Sequence, residues 1–143
     1  MLPWTIPSGG AAHALALASM IMAARLPIRL HCLLAIAENA VSANAYRPGD
    51  ILSSRAGLTV EIDNTDAEGR LVLGDALAKA TESNPVLMID FATLTGAARV
   101  ALGPQLPPFF TNRSHLHDAV ARHGTSELDP VWPMPLWQPY HAM

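Results

Sequence analysis

The most chemically loaded stretch of this 143-residue chain is Asp63-Asn64-Thr65-Asp66-Ala67-Glu68-Gly69-Arg70. Four of the 12 acids, Glu61, Asp63, Asp66 and Glu68, fall within residues 61–68, and none precedes Glu38. Two chemistries are open to that pattern. In one, Thr65 and Glu68 form a capping box, and acids in a first helical turn suit the positive end of the helix dipole. In the other, Asp66 and Glu68 are hard oxygen donors to a divalent cation. Residues two apart diverge by about 200° on a regular helix but share a side in extended chain. A shared cation therefore requires Asp66 to stand before the helix proper. Gly69 lets backbone approach a ligand closely, and Arg70 offers a guanidinium to an anion or a developing oxyanion.

Other reactive residue types give weaker patterns. His13, His31, His115, His117, His123 and His141 form no pair at a ligand spacing and read as surface or cap residues. Cys32, the single cysteine, lies in an apolar run with no basic neighbour placed to activate it, and reads as inert core. One cysteine excludes a disulfide framework within the chain. Ser8 lacks the Gly-x-Ser-x-Gly frame of a nucleophile and reads as a cap. Asp90 is either a helix cap or a polar support near a strand end. Trp4, Trp132 and Trp137 read as packing anchors or contact surface.

The elements that must carry these residues alternate in type. Ala11 to Ala24 is almost wholly apolar, too short for a membrane span and without the basic flank of a secretory leader. It is expected to be a buried helix after a Gly9-Gly10 turn, stopped near Pro27. Ile28 to Ile36 reads as a strand, and Asp50–Arg55 with Leu58–Ile62 as a hairpin turning at Ala56-Gly57. A helix is expected over 67–82, with Leu73, Ala76, Leu77 and Ala80 on its inner face and Asn84-Pro85 as its stop. A second apolar strand covers Val86 to Phe91. A short helix over 97–102, a strand over 108–111 and a helix over 114–123 follow. The proline-rich tail from Pro130 is expected to be irregular. This order predicts an α/β protein: three α/β/α layers around a mostly parallel sheet, with the acidic segment at a strand-to-helix junction where such sheets bind ligands.

Composition narrows the partners. A net charge of −3 with 9 scattered basic residues gives no footprint for nucleic acid, and no membrane partner is expected. The charged fraction of 15% is well below the roughly 25% of an average domain. So apolar a chain is expected to bury more of itself against something else.

Asn64-Thr65-Asp66-Ala67-Glu68-Gly69-Arg70-Leu71 resembles the signature octapeptide of the leucyl aminopeptidase family of two-metal exopeptidases. Ala92-Thr93-Leu94-Thr95-Gly96-Ala97 is similar to a second motif of that family. Weaker matches run through Gly9-Gly10-Ala11-Ala12, Glu38-Asn39, Tyr46-Arg47-Pro48-Gly49-Asp50 and Trp132-Pro133-Met134-Pro135-Leu136. The resemblance implies release of N-terminal residues from peptides in the cytoplasm, by a homo-hexamer carrying two Mn2+ or Zn2+ ions per site. It implies that Asp66 binds one metal and Glu68 both, and that Arg70 is catalytic, holding a bicarbonate. It further implies that Ala67, Gly69 and Leu94 contact that anion through their backbone, and that Thr93 and Gly96 line the substrate site.

The chain departs from the family pattern upstream. The family takes three more metal ligands, a lysine and two aspartates, and a second, catalytic lysine. Here the single lysine is Lys79, no aspartate precedes Asp50, and Pro7 stands at a ligand aspartate's place. Residues 1–143 are accordingly expected to be the central part of the catalytic domain, incomplete at both ends, with little activity alone. The alternative is a non-catalytic α/β assembly or binding module derived from the enzyme.

Overall fold

Chain direction is set largely by where glycine, proline and asparagine permit a turn. In the computed structural model, which describes residues 9–36 and 43–142, helix α1 runs Gly9–Ala23. It ends at Arg25, whose φ of 50° reverses the chain ahead of Pro27. The Gly9-Gly10 pair is thus helix, not the expected turn. Nor is α1 buried: only Gly10 and Ala18 are, while Leu15, Met20 and Met22 are exposed. Residues 4, 7, 8, 38 and 39, on which several expectations rest, lie outside the described residues.

The hairpin forms as expected. β1 (Ile51–Ser53) pairs antiparallel with β2 (Thr59–Glu61), Leu52 opposite Val60, and Gly57 takes the turn at φ 82°. Past β2 the chain makes a 3-10 turn at Thr65–Ala67 and enters α2 (Glu68–Thr81). Leu73, Ala76, Leu77 and Ala80 are half-buried on one face, matching the 3.6-residue period. The helix ends where Asn84 adopts φ 48°, its N–H donating to Thr81 O at 2.9 Å.

Residues 28–36 and 86–91 are extended but belong to no ladder among the described residues. The expected strands are therefore not formed as strands, because a strand exists only as one member of a hydrogen-bonded pair. The first run still packs on α1 and reaches the chain just past α2. Cys32 Sγ lies 3.8 Å from Ala14 O in α1, and His31 Nδ1 lies 3.5 Å from Ser83 Oγ. Cys32 itself is exposed rather than core.

The chain divides into two compact units, Met1–Leu94 and Thr95–Met143. The second holds α3 (Ala97–Leu102), β3 (Pro108–Phe109), α4 (Ser114–Ser126), β4 (Trp132–Pro133) and a 3-10 turn at Gln138–Ala142. β3 and β4 are parallel, so the tail is more regular than its prolines suggest. The bonds come from Trp132 N to Pro107 O and Met134 N to Phe109 O, both 2.9 Å. Pro133 lies between these donors, at the one position where its missing N–H is not needed. The described sheets are two-stranded, and the class is α/β.

Candidate functional site

The acidic segment is shaped by Asn64. Its backbone is extended at φ −128° and ψ 118°, and its Oδ1 accepts from Asp66 N at 2.9 Å. Its carbonyl accepts from Ala67 N at 3.1 Å, which closes the 3-10 turn. Asn64 thus caps the helix entrance, and α2 has no side-chain cap at its own boundary residue, Ala67. This differs from the Thr65–Glu68 capping box. Asparagine reaches the second N–H on with one short amide, whereas Thr65 lies inside the turn.

Asp66 consequently stands in the 3-10 turn, ahead of α2, and Glu68 is the first residue of the helix. Asp66 thus precedes the helix proper, but in a 3-10 turn and not in extended chain. Asp66 and Arg70 are exposed and Glu68 is half-buried. Both carboxylates are hard oxygen donors of the kind Mn2+ and Zn2+ accept. Among the described residues no group of three or more His, Cys, Asp or Glu gathers to hold a metal.

The segment after Asp90 runs between the N-terminal ends of α1 and α2. A Cβ on Gly10 would lie 2.0 Å from Phe91 O, one on Gly9 3.5 Å from Thr93 Cγ2, and one on Gly69 3.1 Å from Leu94 Cδ2. The start of α1 therefore approaches the Phe91 backbone more closely than a larger residue at position 10 permits, whereas the start of α2 meets only the Leu94 side chain. His13 stacks on Phe91 with ring centroids 5.9 Å apart, and its Nδ1 lies 2.7 Å from Gly9 O. His117 Nδ1 lies 2.9 Å from Asp118 Oδ1.

One cavity of about 1650 Å³ brings together Asp66, Ala67, Glu68, Gly69, Arg70, Thr93 and Leu94. It exceeds the roughly 300–1,000 Å³ of a small-ligand pocket. Its walls are largely apolar, with Leu73 and Leu77 of α2, Leu17 and Ile21 of α1, and Leu87 and Ile89 between them. A space of that size and polarity suits packed polypeptide more than a single ligand. Gly96 belongs to the other unit, where it precedes α3 at φ −83° and ψ 2°.

Tyr46, expected only as a member of a motif, also lines this cavity. Its hydroxyl donates to Thr65 O at 3.3 Å. Burial, and then the nearby Glu68 charge, push its phenol pKa up. Its signal was present in the spacing, an aromatic two residues before Pro48-Gly49, but nothing in one dimension links it to a turn 19 residues away.

The family model for the cytosol aminopeptidase family, catalytic domain, matches residues 1–143. A probable cytosol aminopeptidase of Roseiflexus castenholzii is 46% identical over 134 residues, covering 94% of this chain and 28% of that protein. One from Pseudoalteromonas atlantica is 48% identical over 132 residues, covering 92% and 26%. The crystal structure of cytosol aminopeptidase from Coxiella burnetii superposes with a TM-score of 0.84 at 56% identity, covering 92% of this chain and 29% of that one. A tomato leucine aminopeptidase variant gives 0.77 at 40% identity, covering 92% and 26%. The chain thus spans little more than a quarter of the length of the relatives it matches.

Proposed function

The chain belongs to the cytosol aminopeptidase family, and from that premise we propose that it carries one side of the active site of a metal-dependent aminopeptidase. The observation that carries the reading is the placement of Asp66 on a 3-10 turn immediately before Glu68 opens α2. Substrates are peptides with free N-termini, and the complete enzyme is a cytoplasmic homo-hexamer. Residues 28–36 and 86–91 are strands of its mostly parallel central sheet, between two layers of helix. Residues 1–143 form the central part of that domain, and the likeness to the Coxiella burnetii enzyme supports this assignment.

When bound, two Mn2+ or Zn2+ ions supply a water of lowered pKa and polarise the scissile carbonyl. The chain's own residues do the rest of this side's work. Asp66 and Glu68 offer the oxygens that hold the ions. Arg70, on the first turn of α2, holds a bicarbonate by its fork of donors, a geometry suited to a planar carboxylate-like anion. Backbone at Ala67, Gly69 and Leu94 holds the same anion. Thr93 and Gly96 line the peptide site. Two carboxylates hold a dinuclear centre weakly, so the 143-residue chain alone turns over little or nothing.

The test is a chimera in which residues 9–143 of this chain replace the matching segment of the Coxiella burnetii enzyme, so that the host's own residue stands where this chain has Pro7, assayed on a leucine chromogenic amide with added Mn2+ or Zn2+. Metal-dependent turnover is expected, falling by at least about 100-fold in the Asp66→Ala, Glu68→Ala double variant, as for groups acting in the chemical step. A chimera that folds, binds metal and yet is inactive sinks the proposal and favours the non-catalytic module. The isolated chain and its double variant should be indistinguishable in the same assay.

A further inference from the structure

We infer that Tyr46 is a positioning residue for the acidic turn: its hydroxyl holds the Thr65 carbonyl, and so fixes the backbone from which Asp66 and Glu68 are presented. The inference rests on reading those two acids as cation donors, and Tyr46 touches neither cation nor substrate.

Four observations support it. Tyr46 reaches the turn from a loop that is itself pinned. Asp50 Oδ2 accepts from Arg47 N at 2.7 Å, and Asp50 N donates to Arg47 O at 3.0 Å, closing the loop over Pro48 and Gly49. The loop is then tied to the chain leaving β2, with Gly49 N donating to Ile62 O at 2.7 Å and Ile62 N to Asp50 O at 2.8 Å. Ile62 is one of two buried hydrophobic residues among those described, at 3% exposure, so the anchor is the best-packed point of this region.

From that anchor the half-buried Tyr46 ring passes beside the segment and returns its hydroxyl to Thr65 O at 3.3 Å. Residues 62–65 are thereby held at both ends by one loop, while Asn64 holds the turn from within through Asp66 N and Ala67 N. At neutral pH the phenol carries its proton, which is the form that can donate. A hydrogen bond of this kind shifts a local opening equilibrium about two- to tenfold.

Tyr46→Phe removes the hydroxyl and keeps the ring. Two measurements on the 143-residue chain at low concentration decide the matter. Amide hydrogen exchange at Asp66 and Ala67 should quicken about two- to tenfold, while Ile62, the reference in the anchor, should stay unchanged. A Mn2+ titration, read by the free-ion magnetic resonance signal with the Asp66→Ala, Glu68→Ala variant as blank, should shift to higher metal by a similar factor. Unchanged exchange at Asp66 and Ala67 overturns the inference. So does faster exchange at Ile62 as well, which would make Tyr46 a general packing residue, and so does an unmoved Mn2+ midpoint in a chain that binds the ion. Should the parent take up no more Mn2+ than the blank, the cation reading of the acids fails instead, and the exchange comparison alone decides for or against Tyr46.

Discussion

At the scale of single residues, glycine carries two different meanings here, and the sequence does not separate them. Gly57 is required by its positive φ of 82°, with open space where a side chain would sit. Gly10 has the opposite reason: it is helical and buried, and a Cβ would lie 2.0 Å from Phe91 O and 2.8 Å from its carbonyl carbon. Backbone atoms cannot swing aside as a side chain can. Gly10→Ala should therefore push α1 off the 91–94 segment and cost about 1–3 kcal/mol. Gly69→Ala meets only the end of Leu94, at 3.1 Å, and should cost less than about 1 kcal/mol. Urea midpoints of the two variants measure the difference, and equal losses would show that the close approach at Gly10 is not structural. The Gly9-Gly10 pair looked like a turn because glycine's conformational freedom is visible in a sequence, whereas the neighbour it makes room for is not.

At the scale of elements, the hairpin is fastened to α2 by charge rather than by packing. Arg55, in the turn, donates its N–H to Asp75 Oδ1 at 2.8 Å and its Nε to Glu82 Oε1 at 2.6 Å. Lys79 reaches the other oxygen of Glu82 at 2.7 Å. The hydrogen bond from Arg55, then that from Lys79, holds the Glu82 carboxyl down to about 2. A lowered carboxylate pKa adds stability that is complete above the ordinary value of 4.5 and is lost as pH falls toward 2. Between those limits the hold of the hairpin on α2 should weaken in the parent, and Glu82→Gln should flatten that part of the pH profile. All three side chains are largely exposed, so about 1 M salt should shrink the difference at neutral pH. A fluorescent pair placed on the turn and on α2 reads the separation directly; a profile unaltered by Glu82→Gln would place the fastening elsewhere.

The same scale shows what the sequence could and could not reveal. Helices were legible because their hydrogen bonds are local: α2 was expected over 67–82 and spans Glu68–Thr81, and α4 over 114–123 and spans Ser114–Ser126. The hairpin was legible for the same reason, since Gly57 fixes the turn and the turn fixes the register. The runs at 28–36 and 86–91 carry strand composition, yet strand pairing is a property of two segments, and composition describes one. The site divides along the same line. Seven of the eight expected site residues line one cavity, because the octapeptide is contiguous and the second motif crosses its helix start. Tyr46 escaped notice because its link to Thr65 is made only by the folded chain.

At the scale of the whole molecule, the sequence holds more apolar surface than the described residues bury. Ala18 and Ile62 are the buried hydrophobic residues among them, and no side chain there is completely enclosed. Val86 is 92% exposed and Ile36 60%, on the two extended runs that compose like strands. Relatives matched over nearly all of this chain are more than three times its length, so the low charge that opened the question has a structural counterpart. Exposed apolar segments in extended conformation are templates for further chains. The purified chain should therefore self-associate as its concentration rises, seen as increasing mass in sedimentation. Lysine at positions 86 and 89 (Val86→Lys, Ile89→Lys) should reduce that association about tenfold, since each charge must be desolvated before a neighbour can pair there. The same two changes in the full-length chimera should do the reverse and impair folding, as the proposed place of residues 86–91 in the central sheet requires. Weakened association in the chain together with damage in the chimera would identify this surface as core left uncovered. An equal tolerance in both would mean that residues 86–91 are exposed in the complete enzyme as well.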